Sequence, residues 1–143
     1  MTATLLTLNI SVTIHASKSK VWNALTDPQQ IKKYLFGTET KTDWKVGSPI
    51  TFSGVWEGKS YIDKGTILQI EKERVLKYSN WSSFSGTEDR PENYANVTYA
   101  LEDHNGNTAF HLTQDGIKSE EAKDHSEQNW KMVLNSLKDL LEK

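Results

Sequence analysis

The chain has no cysteine. That excludes disulfides, thiolate metal centres and cysteine nucleophiles, and it suits a reducing compartment. No apolar run approaches the ~20 residues that a membrane-spanning helix needs. The opening "MTATLLTLNISVTI" has neither the basic start nor the unbroken apolar centre of a secretion signal. An excess of either charge is also missing: 17 Lys and Arg stand against 19 Asp and Glu, for a net charge of −2. Nothing therefore draws the chain over long range to nucleic acid or to an anionic membrane. Phosphate-cradling glycine loops are absent, as are His-Glu-x-x-His and calcium-loop spacings, so no metal or cofactor is expected. The expectation left standing is a cytoplasmic chain whose residues 1–143 form one domain, a length able to bury a core without staples.

What the chain does have is aromatic bulk. Five Trp, five Tyr and four Phe sit within 143 residues that are 36% apolar. Residues 4 to 14 place Leu6, Leu8, Ile10, Val12 and Ile14 at alternate positions, the signature of a strand with one buried face. Ser17 then starts a helix whose apolar side is Val21, Trp22, Ala24 and Leu25. Pro28 stops that helix near Thr26, because the residue before a proline avoids helical dihedrals. Asp27, with Gln30 three residues on, opens a second helix with proline at its first position. Ile31, Tyr34 and Leu35 give this second helix its own apolar side, and two short helices meeting at an angle form a cradle.

From Thr38 to Gln114 the texture is β. "PITFSGVW", "SYIDKGTILQI", "RVLKYSNW", "NYANVTYAL" and "NTAFHLTQ" are strand-length runs separated by short polar turns, which predicts an antiparallel meander. Gly54 inside the first run reads as a bulge or sharp bend. Asn105-Gly106 marks a hairpin. Residues 82 to 92 are the longest irregular stretch and read as a loop between strands, a plain surface connection first and a gate to a site as the other reading. Ser119 caps a closing helix to Glu142, in which Trp130, Val133, Leu134, Leu137 and Leu141 make an apolar stripe. The stripe occupies only the second half. On the same side the first half offers Ala122 and Ser126, both small, so a cavity is expected beneath it.

Chemistry is sparse. His15, His104, His111 and His125 are the available neutral bases, and none belongs to a recognisable nucleophile motif. No catalytic residue is assigned, and the chain is expected not to be an enzyme. Asp43, Glu57 and Asp63 read as solvated carboxylates at strand edges, with a cavity mouth as the other reading. The aromatic set says more. A pocket lined mostly by aromatics with a few polar tips is the usual design of a small-molecule site. The expected lining is Trp22, Phe36, Trp44, Phe52, Trp56, Tyr61, Tyr78, Trp81, Tyr99, Phe110, Ser126 and Trp130.

Three stretches carry a family resemblance. "SKVWNALTDPQQIKKYL", "DKGTILQIEKERVLKYSNW" and "HSEQNWKMVLNSLKDLLEK" resemble, in that order, segments of the C-terminal domain of the activator of heat-shock-protein-90 ATPase, within the START/SRPBCC superfamily that includes the birch pollen allergen. The resemblance implies an α+β helix-grip fold, with a curved antiparallel sheet wrapped around the long C-terminal helix and two short helices after the first strand. Members of the superfamily bind lipids, hormones and polyaromatic compounds, so the resemblance accommodates the small hydrophobic or aromatic ligand expected from the aromatic set without choosing it. A cavity-based hydrolase or cyclase, and a stress-related co-chaperone working by contact with a chaperone, are the alternatives it carries. Asn129 stands where family members often have glycine before the closing-helix Trp.

Overall fold

The structure, a computed structural model, describes residues 5–83 and 87–142. The elements run β1 (Leu6–Ile14), α1 (Lys18–Thr26), α2 (Pro28–Tyr34), β2 (Glu39–Lys41), β3 (Pro49–Trp56), β4 (Lys59–Glu71), β5 (Val75–Ser82), a 3₁₀ turn (Pro91–Asn93), β6 (Ala95–His104), β7 (Asn107–Ile117) and α3 (Glu120–Leu141). Seven strands form one antiparallel sheet in the order β1-β7-β6-β5-β4-β3-β2. Strands β2 to β7 are thus a continuous meander, and β1 closes onto the β7 edge. With α3 lying along the inner face, this is the helix-grip arrangement that the resemblance implies.

Local chemistry sets the breaks. The Lys20 N–H donates to Ser17 Oγ at 3.2 Å, which caps α1. Asp27 is extended (φ −112°, ψ 114°), so it ends α1 and starts α2 at once, its Oδ1 accepting from the Gln29 N–H at 2.9 Å. The Ala122 N–H donates to Ser119 Oγ at 3.0 Å to cap α3, and Glu120 and Glu121 occupy its positive end. Asn105 (φ 54°) and Gly106 (φ 87°) make the tight β6–β7 turn, as expected. Glu57 (φ 49°) and Gly58 (φ 80°) do the same between β3 and β4.

Two expectations change. Gly54 is not a bulge: β3 pairs with β4 in unbroken register from Pro49↔Thr66 to Trp56↔Lys59. The irregularity lies in β4, where the register with β5 shifts between Ile67 and Gln69. It turns Leu68 outward, 41% exposed, and lets both Ile67 and Ile70 face the core. The expected loop at 82–92 is shorter, because Ser82 ends β5 and Pro91–Asn93 is a 3₁₀ turn. Phe84 and Gly86, two of its residues, lie outside the described residues.

Candidate functional site

Burial along the sheet's inner face is uneven. At the β1–β7 side it is deepest, with Leu8 1%, Ile14 0%, Phe110 1% and Leu112 1% exposed, although Ile10 and Val12 between them are half-buried. Leu134, Leu137 and Leu141, the buried residues of α3, cover this side. At the β3–β4 side, Phe52, Tyr61 and Asp63 are only half-buried. Burial along α3 is uneven too. No described residue of that helix ahead of Leu134 is buried: Ala122 is exposed, and Ser126 and Trp130 are half-buried. Each buried leucine contributes about 1.5–3 kcal/mol of apolar burial, so the helix is held by its second half.

An aromatic chain connects the two sides. Ring centroids are 5.5 Å apart for Phe52–Tyr78, 5.8 Å for Tyr78–Tyr99, 5.5 Å for Tyr99–Phe110 and 6.0 Å for Tyr99–Trp130. Two of these pairs are tilted and two edge-on, at centroid separations where aromatic quadrupoles attract. The hydroxyls of Tyr78 and Tyr99 are hydrogen-bonded at 3.0 Å. The Trp130 indole N–H donates to Gln114 Oε1 at 2.7 Å, fixing the middle of α3 to β7. Burial, reinforced by Tyr99 in the case of Tyr34 and by Tyr78 in the case of Tyr99, holds both phenols well above the ordinary tyrosine range. Burial raises Tyr78 too. All three stay neutral hydrogen-bonding groups.

Tyr61 closes the far end. Its ring crosses Gly54, where an added Cβ would lie 2.7 Å from the Tyr61 hydroxyl. The Thr38 hydroxyl donates to the Leu35 carbonyl at 2.7 Å, so its oxygen accepts from the Tyr61 O–H at 2.5 Å. This contact ties β4 to the exit of α2. There Phe36 adopts φ 55°, an uncommon conformation for a bulky side chain.

Between these groups lies a set of unsatisfied polar atoms. Asp63 sits opposite Phe52 on one side and Ser82 on the other. The Asp63 Oδ1, Asn80 Oδ1 and Thr40 Oγ1 atoms are shielded from solvent and have no hydrogen-bond partner. Burial raises the Asp63 pKa above its ordinary value, opposed in part by a hydrogen bond from the Ser82 side chain. The folded protein therefore holds this proton more tightly than the unfolded chain does. The group's contribution to stability is full below the unfolded value of about 3.9 and falls as pH rises through the folded value. Asp63→Asn removes the charge and puts an amide donor near Asn80 Oδ1. It is expected to stabilise the protein at pH 7 by about 1 kcal/mol, or ~3 °C in Tm, with no gain near pH 3. Thermal melts across that range check this; a variant that melts lower than the parent at pH 7 contradicts it.

Residues 15–142 match the sequence profile of the family described as Activator of Hsp90 ATPase homolog 1-like protein. The chain belongs to that family. Among solved structures, a protein from Cytophaga hutchinsonii is 44% identical, with 99% of this chain and 97% of that one covered and a TM-score of 0.84. The Aha1 dimer from Colwellia psychrerythraea is 21% identical, with 96% of each chain covered and a TM-score of 0.76. CalU16 from Micromonospora echinospora is 25% identical, with 92% of this chain and 73% of that one covered and a TM-score of 0.70. No curated protein sequence matches the chain.

The twelve residues expected to line a cavity in this family member divide into groups. Phe52, Tyr78, Tyr99, Phe110 and Trp130 form the aromatic chain above, Tyr61 adjoins it, and Ser126 lies one turn ahead of Trp130. Trp44 is half-buried against the core with φ 61°. The other four depart from the expectation. Trp22 is 8% exposed and packed into the core. Phe36 and Trp56 are 52% and 51% exposed, one in the turn after α2 and the other at the tip of the β3–β4 hairpin. Trp81 points to the outer face, because strand alternation sets it opposite to Tyr78 and Asn80. Its indole N–H donates to Thr87 Oγ1 at 3.2 Å, and the Lys64 ammonium stands 5.8 Å from its ring centroid.

Two surface depressions, of about 670 Å³ and 310 Å³, have no residue of α3 in their lining. The larger opens on the outer face beside Lys64, Thr66, Ser79, Asp89, Tyr94 and Asn96, and none of the twelve residues lines either one. Asp43 and Glu57 are exposed. Asp63, read from sequence as an edge carboxylate, is on an interior strand between β3 and β5. It is the site residue that the sequence undervalued. Among the described residues no helix is long and apolar enough to cross a membrane.

Proposed function

We propose that the chain binds a small, largely apolar or aromatic molecule between the sheet's inner face and the first half of α3, as a binding module and not as an enzyme. One observation carries this reading. Burial on the inner face is deepest toward β1 and β7 and weaker at Phe52, Tyr61 and Asp63, and no described residue of α3 ahead of Leu134 is buried. The half-buried surface is aromatic with polar tips: Phe52 and Trp130 supply ring faces, Tyr61 a hydroxyl and Asp63 a carboxylate. Recesses of that composition favour flat apolar molecules with one or two polar groups. Membership of the family supports the fold of the site and leaves the ligand to its side chains.

The test is protein-observed NMR with 2-naphthaleneethanol, an aromatic body bearing one hydroxyl. Saturable shifts are expected at β3, β4, β5 and residues 120–130. Ser126→Trp, which fills the recess from the exposed half of the helix, is expected to weaken binding about tenfold or more. Absence of saturable shifts at millimolar probe, shifts confined to the outer face, or an unchanged affinity in the Ser126→Trp variant would each overturn the reading.

A further inference from the structure

The polar atoms left without partners on the inner face have a chemical sense. Asp63 Oδ1 and Asn80 Oδ1 can only accept hydrogen bonds. What the pair lacks is a donor, and buried polar groups are otherwise almost always satisfied. The two side chains are neighbours across β4 and β5. Asp63 pairs with Ser82, and Asn80 is two residues further along the same face of β5, a diagonal of about 7–8 Å between backbones that side chains readily bridge. Thr40 lies on the far side of Phe52, paired to it from β2, too distant to share the same donor.

The described residues supply no cation here. Among the described residues Asp63 takes part in no ion pair, while Lys32, Lys64, Arg74, Arg90 and Lys131 are each matched to a carboxylate elsewhere. Lys64 is adjacent in sequence, yet strand alternation sends it to the outer face, where Asp89 and the Trp81 ring hold it. An ionised carboxylate shielded from water without a counter-charge is costly. The Phe52 and Tyr78 rings beside it offer π-faces, which attract an organic cation and gain little from an anion.

We infer that the ligand of this site is an amine, a protonated nitrogen on an apolar or aromatic body, whose N–H groups donate to Asp63 and Asn80 while its body lies along the Phe52–Tyr78 rings. The inference rests on the small-molecule reading above and narrows it to one ligand class. Three donors on one ammonium satisfy both orphaned oxygens, and its charge compensates the carboxylate.

Three probes with one body separate the possibilities: 2-(2-naphthyl)ethylamine, 2-naphthaleneethanol and 2-naphthylacetate, titrated calorimetrically into the full chain at pH 7. The amine is expected to bind about tenfold or more tighter than the alcohol, with the acetate weakest, since a hydrogen bond to a charged group is worth about 1.5–3 kcal/mol. Asp63→Asn is expected to erase that preference, bringing the amine to the alcohol's affinity for the same variant; it keeps the side chain's shape, so the fold is retained. Asn80→Leu is expected to weaken the amine by a smaller factor. If the alcohol binds as tightly as the amine, or Asp63→Asn leaves amine affinity unchanged, the amine assignment is wrong and the small-molecule reading stands. If none of the three binds, both fall.

Discussion

Gly65→Ala is expected to abolish folding. A Cβ at this position would lie 1.6 Å from the Ser79 carbonyl oxygen and 2.4 Å from its carbon, well inside van der Waals contact. The obstacle is backbone, and it has nowhere to retreat. The Thr66 N–H donates to Ser79 Oγ at 2.9 Å on one side, and Ser79 pairs with Asn96 of β6 on the other. Relief would require parting β4 from β5 in the middle of the sheet. A penalty above about 4 kcal/mol is a large fraction of a domain's total stability of roughly 5–15 kcal/mol. The expected result is protein without a cooperative thermal transition by circular dichroism. A Tm within a few degrees of the parent would show that the strands part freely there. Gly54 provides the contrast: its close neighbour is the end of the Tyr61 side chain, which can swing aside.

Tyr99→Ala is the second large effect. Tyr99 touches the rings of Tyr78, Phe110 and Trp130 and shares its hydroxyl with Tyr78. Emptying it removes the junction of the aromatic chain and opens a void between sheet and α3. Replacements of a buried aromatic by alanine cost about 3–5 kcal/mol, or ~10–15 °C at this chain length. Tyr99→Phe keeps every ring contact and orphans only the Tyr78 hydroxyl, at about 1–2 kcal/mol. Urea denaturation of the two variants separates ring packing from hydroxyl pairing. Equal losses in both would mean that the hydroxyl bond, not the ring junction, holds this region.

The parts legible in sequence are those governed by neighbours along the chain. The Asp27-Pro28 break, the Ser17 and Ser119 caps, the Asn105-Gly106 turn and the alternation of β1 each depend on a handful of adjacent residues. The weak first half of α3 was legible too, as a missing stripe. What escaped depends on strand order and parity. Trp81 was counted with the inner aromatics because one residue's shift reverses a strand's faces, and composition does not record parity. Asp63 read as a solvated carboxylate because nothing local shows that β4 is flanked on both sides. Gly54 read as a bulge because the residue that needs its bare backbone, Tyr61, arrives from the next strand. The burial that raises Asp63 is likewise tertiary.

The clasp between Trp130 and Gln114 lies at the eleventh of the twenty-two residues of α3, and its position makes it a fulcrum. Behind it the helix is riveted by leucines, so detaching that portion is equivalent to melting the protein. In front of it, unwinding a turn sacrifices capping and little else. Amide exchange along the rod should therefore be stepped, fast ahead of Trp130 and as slow as global unfolding behind it. On the small-molecule reading proposed above, a guest would gain admission by fraying the front turns alone, and the protein would stay assembled meanwhile.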